Sequence, residues 1–338
     1  MAAQDVPPLA LTMGEPAGIG PEITLKAWAA RKAASLQPFF VVGDPMLYRD
    51  MARQLGIDGG IREIADPAET DVTFATALPV LPVPLAVPSR PGQLIPENEP
   101  AVIRAIDLAA ELALEGKACG IVTNPVHKRA LYDAGLKVPG HTEYLAALCG
   151  GMKPVMMLSC PGLRVVPVTV HLPLKEAAGQ LTADAIVEQG TLLARALVRD
   201  FGISRPRIAV AALNPHAGEE GRLGNEEGSI ISPAIERLKD ACPEAEFRGP
   251  APADTLFHAG ARRTYDAALC MYHDQALIPL KTIDFENGVN TTLGLPIVRT
   301  SPDHGTALDI AGKDLAQPGS LIAAIGLAGE IAACRARA

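Results

Sequence analysis

The chain has 338 residues, with 30 lysines and arginines against 38 aspartates and glutamates, which gives a formal net charge of −8. This acidic balance argues against nucleic-acid binding as the main function. Hydrophobic residues make up 48% of the chain and aromatic residues 4%, so the core is built mainly from aliphatic side chains and the chain is not disordered. The length suits about two domains or one large α/β unit.

The sequence favours a cytoplasmic protein with no membrane-spanning segment. The longest uncharged apolar run, Phe74–Ser89, is interrupted by four prolines, which a spanning helix would not tolerate. The first basic residue is Lys26, so the amino terminus lacks the charged region of a secretory signal. The six cysteines form no Cys-x-x-Cys pair and lie mostly among apolar neighbours. This pattern favours reduced, buried thiols.

Short apolar runs alternate with longer amphipathic stretches, which predicts buried strands between helices. The predicted strands are Leu9–Met13, Pro38–Val42, Ala118–Thr123, Val155–Leu158, Val165–Val170, Ile208–Leu213 and Ala267–Met271. The predicted helices include Pro100–Glu115, Ala183–Arg199, Ser232–Asp240 and Ser320–Arg335. This order favours an α/β fold with a largely parallel sheet. A hairpin around Cys160–Gly162 makes the sheet mixed.

Two segments depart from this alternation and are predicted to be long loops. The segment 78–100 contains seven prolines, which leave few backbone donors for regular structure. The segment 281–312 is rich in glycine, asparagine, threonine and aspartate and shows weak periodicity. Long loops in enzymes often carry function.

Three histidines follow predicted strands. His171, His216 and His273 come directly or shortly after the strands that end near residues 170, 213 and 271. Ligands of open α/β sheets bind beyond the carboxyl ends of the strands, and three converging imidazoles form a divalent-metal site. The alternative for each is a hydrogen-bonded loop residue. His258 is predicted to be a structural residue within a helix.

Several other polar segments have the composition of ligand contacts. Gly14–Glu22 is a glycine-rich turn between a strand and a helix, where the backbone approaches its neighbours closely. Lys281, Asn290 and Arg299 supply donors suited to a phosphate or carboxylate, or are solvated surface residues. Thr142 either binds a ligand, together with its neighbours, or caps a helix that begins at Glu143.

Six motifs, in order along nearly the whole chain, resemble the 4-hydroxythreonine-4-phosphate dehydrogenase family of pyridoxal phosphate biosynthesis. They are Gly14–Glu22, His141–Glu143, Asn214–Glu219, Asp254–Phe257, Met271–Gln275 and Gly288–Pro296. The resemblance implies NAD-dependent oxidation of 4-phosphooxy-L-threonine to 3-amino-2-oxo-4-phosphooxybutanoate, which decarboxylates to 3-amino-2-oxopropyl phosphate. It also implies a homodimer with the active site at the interface.

The resemblance also assigns roles to individual residues. The ligands of a divalent metal, zinc, cobalt or magnesium, are expected to be His171, His216 and His273. The expected substrate contacts are His141, Thr142, Lys281, Asn290 and Arg299. Asp254 is the expected base for the substrate hydroxyl, although metal-bound solvent is an alternative. Without the resemblance, the sequence alone does not identify this base.

A more distant resemblance links His304–Gly312 to the adenosine-binding loop of isocitrate and isopropylmalate dehydrogenases. It implies cofactor contacts at Gly305, Thr306, Ala307 and Asp309, and a carboxylate there favours NAD over NADP. The implied fold has two α/β/α lobes that share a mixed, largely parallel sheet, with a cleft between them. The expected lobes are residues 1–133 plus 306–338, and residues 134–305.

The substrate stays open among close relatives. Glu15 stands where the family commonly has aspartate, and Leu308 where phenylalanine is frequent. One alternative is a paralogous dehydrogenase for erythronate 4-phosphate, another four-carbon hydroxy acid or a non-phosphorylated diol acid. A second alternative is a non-catalytic protein that binds a phosphorylated metabolite.

Overall fold

The computed structural model describes residues 6–57, 59–127 and 140–337. Its strands are β1 (Leu9–Thr12), β2 (Phe39–Gly43), β3 (Gly60–Glu63), β4 (Ala77–Pro82), β5 (Ile121–Thr123), β6 (Val155–Cys160), β7 (Leu163–Thr169), β8 (Arg207–Ala211), β9 (Glu246–Ala251), β10 (Ala267–Tyr272), β11 (Val289–Leu293) and β12 (Arg299–Pro302). Its α-helices are α1 (Gly20–Ala29), α2 (Pro45–Leu55), α3 (Thr70–Phe74), α4 (Glu99–Leu114), α5 (His141–Leu148), α6 (Leu174–Gln180), α7 (Ala183–Phe201), α8 (Ser232–Ala241), α9 (Ala253–Leu256), α10 (Ala259–Arg262), α11 (His273–Ile283) and α12 (Gly319–Arg335).

The chain divides into two compact units. Unit 1 comprises residues 1–154 and 295–337, and unit 2 comprises residues 155–294. In unit 1 the strand order is β3-β4-β2-β1-β5-β12, and every neighbouring pair is parallel. The central strands β2, β1 and β5 are fully buried, as their continuous apolar runs require, whereas the edge strand β3 is largely exposed. Large side chains such as Trp28, Phe39 and Tyr48 fill this core.

Unit 2 carries a mixed sheet in the order β11-β6-β7-β10-β8-β9. β6 is antiparallel to both β11 and β7, whereas β7, β10, β8 and β9 are mutually parallel. The predicted hairpin around Cys160–Gly162 is confirmed, because Cys160 pairs with Leu163. The mixed, largely parallel α/β fold class is likewise confirmed.

Local sequence signals set the ends of the helices. Asp44 caps α2, its carboxylate accepting hydrogen bonds from the amides of Met46 and Leu47, and Gly56 ends that helix with a left-handed φ of 61°. In unit 2, Thr182 caps α7 in the same way, and Gly202 ends it at φ 65°. These caps fix where each chain segment enters and leaves the sheet.

The two predicted long loops are wrong in part. β4 lies inside the first of them and includes Pro79 and Pro82. A proline removes only one ladder hydrogen bond, and the carbonyl of Val80 still accepts from the Ile64 amide. The second loop contains β11 and β12. Their buried positions include threonines, so the sequence lacks the run of apolar residues that predicts a buried strand.

The unit boundaries differ from the expected lobes. The expected division at 133/134 lies outside the described residues. The expected division at 305/306 lies beyond β12, which pairs with β5 and so belongs to unit 1 with the residues that follow it. In the described part of the chain no helix is long and apolar enough to cross a membrane.

Candidate active site at the strand ends

The three histidines singled out from the sequence all belong to unit 2. His171 follows β7, His216 follows β8, and His273 is the first residue of α11, directly after β10. These three strands are parallel neighbours in the order β7-β10-β8. Their carboxyl ends therefore lie at one edge of the sheet, where α/β folds bind ligands.

The structure brings His171 and His273 together. Their ring centroids are 5.8 Å apart, and both line a pocket of about 170 Å³. Leu174 and Ala177 of α6 form one wall of this pocket. His273 Nδ1 lies 2.7 Å from the Asp274 carboxylate, a partner of the kind that fixes the tautomer of a metal-binding histidine.

The spacing of these two rings fits a shared divalent ion. Two imidazoles on one tetrahedral ion have centroids about 5 Å apart, because each metal–nitrogen bond is about 2 Å long. Within the described residues of a single chain, no group of three histidine, cysteine, aspartate or glutamate side chains is placed to hold a metal. One chain therefore presents two imidazoles together, and the structure does not add His216 to that pair.

His216 lies in an unusual left-handed turn. From His216 to Glu220, five consecutive residues have positive φ values between 43° and 79°. The left-handed conformation costs about 1–2 kcal/mol for a residue other than glycine, so the surrounding contacts must stabilise this turn. Its histidine ring is exposed. Asp254, the expected base, lies on α9, which packs against the same turn, and its side chain is exposed.

Two of the expected substrate residues lie in unit 2. Lys281 is on α11, with its ammonium 5.5 Å from the ring centroid of the exposed Phe285. Asn290 is on β11, opposite Leu158 of β6. The Asn290 Oδ1 atom is buried and has no hydrogen-bond partner within the described residues. An unpartnered buried amide oxygen is available to a ligand donor.

The other expected substrate residues lie in unit 1. Arg299 of β12 is 4% exposed and donates from Nη2 to Thr123 Oγ1 at 2.8 Å. Burial lowers the pKa of Arg299 to about 10, and the charge of Glu143 partly offsets this effect. His141 and Thr142 open α5, whose N-cap is Gly140. Thr142 is therefore inside the helix, and the alternative role as its cap is wrong.

The glycine-rich turn and the expected cofactor loop are neighbours in unit 1. The Ile19 amide donates to the Thr306 carbonyl at 3.0 Å, and a Cβ on Gly18 would lie 2.8 Å from that same oxygen. Ala307 has a left-handed φ of 42°, and Asp309 is exposed. Gly305 is also exposed, so the loop presents its carboxylate and its small residues to solvent.

Glu22 connects the loop to α1. Its carboxylate, which is fully buried, accepts hydrogen bonds from the amides of Gly312 and Ala316, both at 3.1 Å. Lys26 Nζ lies 2.8 Å from Glu22 Oε1 and 2.9 Å from Asp314 Oδ1. Burial lowers the pKa of Lys26, but the two carboxylates outweigh it and the net pKa is raised. The Lys26 ammonium thus stays charged at neutral pH.

Three residues near the sites have roles that the sequence did not reveal. Gln275 and Glu227 are both 6% exposed and lie close to the histidine segments. Gln275 belongs to the Met271–Gln275 motif, and its position two residues after His273 was the available signal. Glu227 follows Glu226, a pair of carboxylates typical of a solvated surface. His258 does not lie inside a helix; its Nδ1 caps α10 by accepting from Gly260 N at 3.1 Å.

Comparisons with known proteins agree with this architecture. A family model described as pyridoxal phosphate biosynthetic protein PdxA matches residues 35–328. The 4-hydroxythreonine-4-phosphate dehydrogenase of Erythrobacter litoralis (strain HTCC2594) is 52% identical over 334 residues, which cover 98% of each chain.

Solved structures extend the comparison to the fold. The 4-hydroxythreonine-4-phosphate dehydrogenase of Klebsiella pneumoniae is 41% identical with a TM-score of 0.87, covering 96% of this chain and 99% of its own. A terephthalate 1,2-cis-dihydrodiol dehydrogenase from Burkholderia xenovorans LB400 is 27% identical with a TM-score of 0.66, covering 96% and 98%. On the family match and the full-length identity, the chain belongs to the pyridoxal phosphate biosynthetic protein PdxA family.

Proposed function

We propose that the chain is an NAD-dependent, metal-requiring 4-hydroxythreonine-4-phosphate dehydrogenase. It oxidises 4-phosphooxy-L-threonine at C3, and the resulting β-keto acid loses carbon dioxide to give 3-amino-2-oxopropyl phosphate. The observation that carries the proposal is the His171–His273 pair at the strand ends, in a chain 52% identical to a dehydrogenase of that name. The physiological setting is pyridoxal phosphate biosynthesis in the cytoplasm.

The proposed metal ligands are His171, His216 and His273. When bound, a zinc, cobalt or magnesium ion supplies positive charge beside the C3 oxygen, and NAD supplies the hydride acceptor. The described residues of one chain bring two imidazoles together, His171 and His273, and the proposal is that a homodimer completes the ligand set. The exposed Ile278 and Phe285, 64% and 75% accessible on and after α11, support an interface beside the histidines.

The other proposed roles follow from charge and hydrogen-bonding capacity. Lys281, Asn290 and Arg299, with His141 and Thr142, bind the phosphate and carboxylate of the substrate. Binding of these remote groups orients the reacting carbon.

At the reacting carbon, Asp254 is the proposed base that accepts the proton of the C3 hydroxyl as hydride leaves the same carbon. Asp254 is exposed on α9, beside the turn that carries His216, so its carboxylate is accessible to a substrate hydroxyl.

The NAD site is proposed in unit 1. Gly305, Thr306 and Ala307 form its backbone wall, and Asp309 accepts hydrogen bonds from the adenosine ribose. Its exposed carboxylate would repel a 2′-phosphate, so we expect NAD rather than NADP.

The test is turnover of the purified homodimer. The chain is loaded with Zn²⁺, Co²⁺ or Mg²⁺ and mixed with NAD and 4-phosphooxy-L-threonine, and NADH and carbon dioxide are measured. Equal amounts of both products support the proposal. A metal-loaded dimer that reduces no NAD with this substrate contradicts it.

A second candidate is oxidation of a non-phosphorylated carboxylated diol. The relative that favours it is the terephthalate 1,2-cis-dihydrodiol dehydrogenase, which matches along nearly the whole chain. Comparison of kcat/KM for phosphorylated and non-phosphorylated acids, including erythronate 4-phosphate, separates these candidates. If kcat/KM does not depend on the phosphate group of the substrate, the proposal that Lys281, Asn290 and Arg299 bind that phosphate is wrong.

A further inference from the structure

Buried side chains join the ends of the three strands that carry the histidines. Thr169 Oγ1, at the end of β7, donates to the Met271 carbonyl of β10 at 2.9 Å. Gln275 Oε1 accepts from the Met271 amide at 2.7 Å, and Gln275 Nε2 donates to the Ala212 carbonyl, just after β8, at 2.6 Å. Both ends of the Gln275 amide are therefore used, and they connect the strand before His273 to the strand before His216.

Glu227 continues this connection into the left-handed turn. Its Oε1 accepts from the amides of Leu213 and Asn214 at 2.9 and 2.7 Å, and its Oε2 accepts from Asn214 Nδ2 at 3.0 Å. On the far side of the turn, a Cβ on Gly218 would lie only 2.7 Å from Glu227 Oε2. A run of left-handed residues persists only when its surroundings fix it. The Glu227 carboxylate binds the backbone just before this run and lies close against Gly218 within it.

We propose that Gln275 and Glu227 are positioning residues that fix the directions in which His273 and His216 leave the sheet. The inference rests on the proposed metal site, and it holds whichever subunit of the dimer supplies each ring. Neither side chain is a ligand, because both are buried and their polar atoms bind backbone or Asn214 groups. Groups that orient metal ligands typically change metal affinity about 10- to 100-fold when they are removed.

The test measures Co²⁺ binding to the full-length dimer, by titration and by the visible absorption spectrum of the bound ion. The variants are Gln275→Leu and Glu227→Gln, with the milder Gln275→Asn and Glu227→Asp as second choices that retain a polar group. Matched controls are Gln180→Leu and Glu236→Gln, which change exposed residues of α6 and α8. We expect about 10- to 100-fold weaker Co²⁺ binding and a changed spectrum in the test variants only.

His216→Ala separates the two ways in which this inference fails. If His216→Ala loses Co²⁺ while the Gln275 and Glu227 variants bind it like the parent chain, the metal site stands and the positioning role is wrong. A lower melting temperature with unchanged affinity and spectrum likewise means that the positioning role is wrong. If the parent chain binds no Co²⁺, or His216→Ala binds it normally, the proposed metal site is wrong and the inference falls with it.

Discussion

The two units support their candidate sites by different means. In unit 1, backbone lies directly on backbone, since Gly18 leaves no room for a methyl group beside the Thr306 carbonyl. In unit 2, buried side chains such as Gln275 and Glu227 bind the strand ends. The first arrangement is sensitive to any added atom, whereas the second is sensitive to the loss of a hydrogen-bonding group. An added methyl group should therefore be the damaging change at Gly18, and the loss of a hydrogen-bonding group the damaging change at Gln275 and Glu227.

The largest expected effect is that of His216→Ala in unit 2. The exposed ring makes no packing contribution to the core, so its loss should leave the melting temperature near that of the parent chain. Loss of a metal ligand should reduce kcat by about a thousandfold and remove bound metal. Turnover with NAD and 4-phosphooxy-L-threonine, together with metal analysis of the purified protein, checks both expectations.

His258→Ala is the matched control for that variant. His258 is another exposed histidine of unit 2, but its Nδ1 accepts from the amides of Gly260 and Ala261 and caps α10. Its removal should lower stability by about 1 kcal/mol and leave metal content unchanged. Retention of metal by His216→Ala, or its loss from His258→Ala, would contradict the assignment.

Gly18→Ala tests the close backbone contact of unit 1. The new Cβ would lie 2.8 Å from a carbonyl oxygen that cannot rotate away, and overpacking of this kind costs about 3 kcal/mol. We expect a lower melting temperature and weaker NAD binding, measured by calorimetry. Displacement of the Thr306 backbone is the physical cause of both.

Gly326→Ala makes the same exchange where there is space. Gly326 lies in α12, and among the described residues no atom outside its own helix comes within 4 Å of its added Cβ. Alanine should stabilise this helix by about 0.5–1 kcal/mol. If Gly18→Ala is as stable as Gly326→Ala, the contact between the turn and the loop is not the tight one described.

The positions of the candidate histidines relative to the strands were predictable from the sequence, because each follows an apolar run. The placement of His171 and His273 at the carboxyl ends of strands needed only the α/β alternation and the rule for ligand sites. The hydrogen bonds of Gln275 and Glu227 were not predictable, because burial of a polar side chain depends on which strands become neighbours. Sequence order does not reveal that β10 lies between β7 and β8.

Strand prediction failed where the side chains did not indicate burial. β11 is buried through Thr291 and Thr292, and β4 keeps its place despite Pro79. In β4 pairing with neighbours outweighed the low strand propensity of proline, whereas the threonines of β11 favour a strand but do not indicate burial. The left-handed turn at His216 had little signal either, since the positive-φ run continues to Gly221 and four of its six residues are not glycine.

Glu22→Gln tests whether the position of the expected cofactor loop, His304–Gly312, depends on side chains as well as on backbone contacts. The neutral amide weakens the buried pair with Lys26 and the acceptance from Gly312 and Ala316, so we expect a loss of about 2 kcal/mol. The KM for NAD should rise several-fold while kcat changes little. Glu330→Gln, at an exposed position of α12, is the control. If both variants have the same KM for NAD, backbone contacts alone position the loop and the Glu22 side chain is not needed.

Asp266→Asn gives the smallest expected effect and tests an ion pair at the amino ends of the unit 2 strands. Asp266 accepts from the amide and the guanidinium of Arg207 at 2.8–3.2 Å. Burial raises the pKa of Asp266, but these hydrogen bonds outweigh it and bring the pKa below its usual 3.8. Because the Arg207 side chain is 40% exposed, solvent screens the pair, and the variant should melt only about 2 °C lower at neutral pH.

The pH dependence of that difference is its sharper test. A carboxyl group whose pKa is lower in the folded state stabilises the fold above its unfolded pKa, and the benefit disappears as the pH falls through the folded pKa. The melting difference between the parent chain and Asp266→Asn should therefore be full at neutral pH and shrink below pH 3.8, the usual value. Asp184→Asn, which breaks an exposed pair with Arg237, should show a smaller difference. A gap for Asp266→Asn that persists unchanged into acid would mean that lost packing, not charge, causes it, and unit 2 would then resemble unit 1 in its dependence on fit.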